Sequence, residues 1–138
     1  MVTVLIYTES RFPADRKKIR EFVETYLSKR IKGDVEIGVS IVGDRKMKYL
    51  NTTYRQIPET TDVLSFPLDD ASASSREDVK VGFSPDRSSP DKILRLGDVV
   101  VSYPQTVMEA AQGNKMVDQQ LTDLIAHGLD HLMGIHHE

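Results

Sequence analysis

Apolar residues fill Val2-Thr3-Val4-Leu5-Ile6-Tyr7 with almost no alternation, the pattern of a strand buried on both faces. Behind Phe12-Pro13, which marks a helix start, Ile19, Phe22, Val23, Tyr26 and Leu27 recur at helical spacing down to Gly33. The period then changes. Val35, Ile37, Val39 and Ile41 alternate with Glu36, Gly38 and Ser40, which predicts a half-buried strand, and Gly43-Asp44 turns the chain into a short helix carrying Met47, Leu50 and Tyr54. Val63-Leu64-Ser65-Phe66, stopped by Pro67, and Asp98-Val99-Val100-Val101-Ser102-Tyr103 predict two more strands. Pro104 opens a helix through Val107, Met108 and Ala111 that ends at Gly113. The last helix runs from about Met116 to Met133 through Val117, Leu121, Leu124, Ile125 and Leu132. No internal repeat and no boundary interrupts this series, so residues 1–138 are expected to form a single domain.

Positions 68 to 94 break the pattern: Asp, Ser, Lys, Arg and Pro dominate, with Val79, Val81 and Phe83 as an apolar island. A surface insertion with a short edge strand at 79–83 is the plain reading, and a substrate-contacting flap is the alternative.

The 138 residues suffice to bury a core without disulfides or a structural metal. With no cysteine, thiolate metal sites and disulfide frameworks are excluded, so any metal falls to His, Asp or Glu. The formal charge of -3 excludes coating of nucleic acid by bulk electrostatics; a nucleic-acid partner must meet a local basic patch. The apolar run at the N-terminus is too short for a secretory signal and no later stretch could span a bilayer, so a cytoplasmic protein without a membrane partner is expected.

All four histidines, His127, His131, His136 and His137, fall within the last dozen residues. His127 and His131 stand one helical turn apart, where two imidazoles can reach one metal ion. Gly134 stands where a helix-ending glycine would stand, and a reversal there could return His136 or His137 to the same point. Three imidazoles would leave a fourth zinc position open to water, whose pKa the ion lowers to ~7. Metalloproteases of the H-E-x-x-H type place their glutamate base where this chain has Gly128, so that mechanism lacks its base. A glycine in that helix costs ~1 kcal/mol in propensity and predicts a close approach of another backbone or of substrate. The second candidate is Arg55, whose guanidinium can offer a two-pronged hydrogen bond to a phosphate. The plain alternatives are histidines on a helix surface with a frayed tail, a surface arginine, and Thr61 and Asp62 as turn and strand-entry residues.

Taken together, Asn51-x-x-Tyr54-Arg55, Thr61-Asp62-Val63-Leu64-Ser65-Phe66-Pro67, Leu96-Gly97-Asp98-Val99-Val100 and His127-Gly128-x-x-His131-Leu132-x-Gly134-x-x-His137 resemble the YbeY family of bacterial rRNA maturation endoribonucleases. The resemblance implies an α+β fold, a mixed four-stranded sheet with helices in a zincin-like single domain. It implies one zinc ion per chain on His127, His131 and His137, with Arg55 opposite the metal. The implied activity is metal-dependent cleavage of single-stranded RNA in 16S rRNA 3′-end maturation and ribosome quality control. The implied partners are the small ribosomal subunit, through ribosomal protein S11, and the GTPase Era. His136 stands where the family usually has aspartate. Asp130 replaces a usually apolar residue, and could orient an imidazole or face water. The third ligand would stand one residue from the last of the sequence, where fraying weakens a site. Two other functions fit the same residues: a non-catalytic ribosome-assembly adaptor whose metal orders the C-terminus, and a metal-dependent hydrolase of another substrate.

Overall fold

Val35, Ile37, Val39 and Ile41 project to one side of β2 (Val35–Val42) and are buried, as their alternation requires. In the computed structural model, which describes residues 1–68 and 93–136, β2 is an inner strand of a four-stranded sheet of order β1-β2-β4-β3. β1 (Val2–Thr8) and β4 (Leu94–Ser102) pair with β2 in parallel, whereas β3 (Val63–Pro67) pairs antiparallel with β4, Ser65 opposite Val99. The sheet is therefore mixed and the class α+β, as expected.

Between and after the strands lie α1 (Arg16–Ser28), α2 (Asp44–Arg55), α3 (Tyr103–Gln112) and α4 (Val117–His136). Their starts are chemically marked. The Asp15 carboxylate accepts the Lys18 N–H at 3.1 Å ahead of α1, and Ser102 Oγ accepts the Gln105 N–H at 3.2 Å ahead of α3. Ile19, Val23 and Leu27 of α1 and Leu121, Ile125, Leu129 and Leu132 of α4 share one core with Ile37, Val39, Val99 and Val101. On the opposite face of the sheet Met47 of α2 meets Val42, Leu64 and Val100. Neighbouring residues of β4 thus face different helices: Val99 and Val101 face α4, and Val100 faces α2.

Three expectations change. β1 is not buried on both faces: it is an edge strand, and Leu5 and Tyr7 are 58% and 56% exposed, because α2 packs over β3 and β4 instead. Unbroken apolarity marks a strand but does not count the layers over it. β4 begins at Leu94 rather than Asp98. The register shifts at Glu36/Ile37, Leu96 becomes the extra residue of a bulge, and Gly97 takes φ 124°, so Leu94 and Leu96 fall out of phase with Val99 and Val101. Finally, α4 does not stop at Met133 for a reversal at Gly134 but runs on to His136. Buried Leu132 and Met133 hold the last described turn against the core, which offsets the ~1 kcal/mol that a helical glycine costs. The expected strand at 79–83 lies outside the described residues. Among the described residues no helix is long and apolar enough to cross a membrane.

Candidate functional site

Gly128 is buried where α4 presses on the sheet, and a Cβ there would stand 2.7 Å from Val99 Cγ1 and 3.2 Å from Ser65 Oγ. The glycine does allow a close approach, but of the Val99 and Ser65 side chains rather than of the backbone or substrate expected. The Ser65 hydroxyl also donates to the Gly128 carbonyl at 3.2 Å. With Ile125, Leu129 and Leu132 turned inward, the rotation of α4 is set, and His127 and His131 stand exposed on its outer side. Neither imidazole has a hydrogen-bond or ion-pair partner among the described residues. Among these residues nothing has to be displaced before either imidazole meets a metal.

Asp130, between them in sequence, points elsewhere. Its Oδ1 accepts the Tyr26 hydroxyl of α1 at 2.6 Å, and the Arg30 guanidinium lies 3.6 Å from the centre of the Tyr26 ring. Burial first, and then the bond to Asp130, push the Tyr26 phenol above its ordinary pKa. Asp130 thus ties α4 to α1 and does not orient either imidazole.

His137 lies outside the described residues, and of His136 only its place at the end of α4 is described. Because the helix continues through Gly134, that place stands about half a turn around the axis from His127. Among the described residues no three histidine, aspartate or glutamate side chains gather around a point that could hold a metal.

Arg55 closes α2. Gln56 follows at φ 58°, in the left-handed region, with its N–H on the Thr52 carbonyl at 3.1 Å, and the Ile57 N–H reaches the Asn51 carbonyl at 3.2 Å. Asn51 is buried and its side-chain amide donates to the Glu59 carbonyl at 2.9 Å, which holds the returning loop. Tyr54 packs edge-on against Phe66 with ring centres 5.5 Å apart. The spacing Asn51-x-x-Tyr54-Arg55 therefore has a local reason: Asn51 and Tyr54 face inward and Arg55 faces out, exposed and unpaired among the described residues.

Consecutive residues of β3 join the two halves. Ser65 contacts Gly128, beside His127, and Phe66 contacts Tyr54, beside Arg55. Arg55 flanks this edge strand from one face of the sheet and His127 and His131 from the other, and among the described residues no hydrogen bond links them.

A carboxyl cluster at the start of β3 was not expected. Asp62 accepts the Val63 N–H at 2.7 Å, and its own carbonyl accepts the Ser102 N–H at 2.8 Å. Its carboxyl lies beside that of Glu109 of α3, whose Oε1 accepts the Gln120 amide of α4 at 2.9 Å. Burial, followed by the bond to Asp62 and its charge, raises the Glu109 carboxyl above the usual range. Asp98, in the bulged stretch of β4, is likewise raised by burial and by Glu36.

The family model for endoribonuclease YbeY matches residues 6–138. The chain belongs to the endoribonuclease YbeY family. An endoribonuclease YbeY from Dehalococcoides mccartyi strain BAV1 is 39% identical over 106 residues, covering 75% of this chain and 62% of that protein. One from Roseiflexus sp. strain RS-1 is 35% identical over 126 residues, covering 90% of this chain and 71% of its own length. The match thus spans about three-fifths of the first relative and more of the second. The solution structure of TM1509 from Thermotoga maritima superposes with a TM-score of 0.60 at 23% identity, over 94% of this chain and 71% of that one, and shares the fold. The motifs on β3, β4 and α4 are thus carried by a YbeY-family chain.

Proposed function

We propose that the chain is a metal-dependent endoribonuclease that cuts single-stranded RNA, with one zinc ion held by His127, His131 and His137. The observation that carries this reading is the joint at β3: Ser65 seats the helix that bears two exposed imidazoles, and Phe66 seats the one that bears an exposed arginine, all three unpartnered among the described residues. Two exposed imidazoles one helical turn apart fit two of the three ligands of a catalytic zinc site, and His137 is the third. Such an ion supplies Lewis-acid polarisation and acidifies water. Arg55 binds the phosphodiester from the other side and neutralises charge that builds on it. The relatives named endoribonucleases support the same reaction class. Its setting in this proposal is 16S rRNA 3′-end maturation and ribosome quality control in the cytoplasm, with ribosomal protein S11 and the GTPase Era as partners.

Elemental analysis alongside cleavage of a single-stranded RNA tests the reading on wild type, His131→Ala, His136→Ala, His137→Ala and Arg55→Ala. Wild type should hold stoichiometric zinc and cut. His131→Ala and His137→Ala should lose both, His136→Ala should keep most of the metal, and Arg55→Ala should keep the metal and lose ~100-fold or more in rate. Full zinc with no cutting would leave the adaptor function in its place.

A further inference from the structure

On a chain of net charge -3, α2 carries Arg45, Lys46, Lys48 and Arg55 against a single acid, Asp44. That acid is occupied inside, accepting Ser102 Oγ at 2.8 Å and Thr60 Oγ1 at 3.1 Å. All four cations are exposed, and among the described residues none has an ion-pair partner. Met47, Asn51 and Tyr54 take the inward side, so the outward arc reads Arg45, Lys46, Lys48, Tyr49, Thr52, Thr53 and Arg55, with Tyr49 60% exposed near its middle and Lys46 Nζ 5.9 Å from its ring centre. Helix energetics does not account for this arrangement. Arg45 and Lys46 occupy the first turn, where the helix dipole disfavours cations, and Arg45 and Lys48 are like charges three apart. On the other basic helix, α1, Lys18 pairs with Asp118 at 3.5 Å and Arg16 donates to the Ile6 carbonyl at 3.3 Å, which leaves Lys17 and Arg20 beside the acids Glu21 and Glu24, and α1 lies on the opposite face of the sheet from Arg55.

We propose that the outer face of α2 is a docking track for the single strand flanking the cleavage point, with Arg45, Lys46 and Lys48 on successive phosphates and Tyr49 offering a ring for a base. It rests on the function proposed above, since Arg55 at the end of the same helix is the residue placed on the scissile phosphate. The charge complementarity is with a polyanion, and the exposed ring among the cations favours one with bases over a lipid surface.

The test compares wild type with the triple variant Arg45→Gln, Lys46→Gln, Lys48→Gln, which keeps good helix formers at exposed positions. Fluorescence anisotropy on the metal-loaded full chain, read in the cold with the probe checked intact on a gel, gives the salt dependence of binding to a long single-stranded RNA and to a trinucleotide. For the long RNA the slope of log affinity on log salt should fall by about 2, roughly 0.7 per lost phosphate contact, and the trinucleotide should bind equally to both proteins. Lys46→Gln and Lys48→Gln alone should each remove about 0.7, which keeps the test alive if the triple variant misfolds. An unchanged slope, with wild type still cutting, removes the track and leaves the proposed activity. A reduced slope, with wild type cutting nothing, keeps the track and removes the activity. Phosphatidylserine vesicles binding wild type more tightly than RNA at equal salt would overturn the assignment to RNA.

Discussion

At Gly128 an added methyl would stand 2.7 Å from Val99 Cγ1, whereas at Gly134 it would meet nothing within 4 Å. Both glycines lie in α4, so alanine brings each the same gain of about 1 kcal/mol in helix propensity. Only at Gly128 does the crowding oppose it. Pushing α4 off β4 should outweigh the propensity gain, so Gly128→Ala is expected to lose 1–3 kcal/mol, roughly the usual cost of overpacking. Gly134→Ala should gain up to about 1 kcal/mol. Urea titrations that follow the midpoint at constant slope separate the two. A destabilised Gly134→Ala would mean that the native chain breaks its helix there, as a helix-ending glycine would.

Four elements converge at the start of β3: the strand itself, β4 through Ser102, α3 through Glu109 and α4 through Gln120. A hydrogen bond between the neighbouring Asp62 and Glu109 carboxyls needs a shared proton, since two ionised carboxylates have no donor between them. The Glu109 carboxyl is raised in the folded state, so the pair's contribution is complete below the usual carboxylate range and is lost as pH rises through the raised value. Glu109→Gln supplies a permanent donor to Asp62 and still accepts from Gln120. Its thermal midpoint should therefore fall less with rising pH than that of wild type, with an advantage of about 1 kcal/mol, one hydrogen bond, on the alkaline side. Parallel curves for the two proteins would refute the shared proton. No sequence pattern announces this contact, because Asp62 and Glu109 meet only through the pairing of β3 with β4 and the return of α3. By contrast, Ile19, Val23 and Leu27, or Val35, Ile37 and Val39, announce their elements because one period runs through each. The bulge at Leu96 breaks that period and hid half of β4, and uniform apolarity hid the open face of β1. Of the candidate site, the outward placing of His127, His131 and Arg55 was legible, because spacing or a local cap fixes direction. That Ser65 and Phe66 join its halves depends on the register of β3 and was not.

Across the whole molecule, the helix that bears the histidines is also a wall of the main core: Leu121, Ile125, Leu129 and Leu132 pack with α1 and with β2 and β4. Its last turns cannot unfold without opening that core, so an ion bound to them stabilises the entire chain rather than a tail. The linkage is fixed by mass action, about 2.7 kcal/mol when zinc stands at a hundred times its dissociation constant. For a domain of this length that is a rise in Tm of roughly 5–10 °C over the chelated protein. His131→Ala should abolish the rise. Arg55→Ala should retain it in full, since Arg55 lies on the other face of the sheet, in a helix whose buried contacts form a separate cluster with Val42, Leu64 and Val100. If the proposed sites hold, metal binding and phosphate binding are thereby separable by two measurements: a zinc-induced shift of Tm reports on His127, His131 and His137, and RNA cleavage on these and on Arg55. A Tm indifferent to zinc in a chain that still cuts RNA would place the metal, or the chemistry, away from His127 and His131.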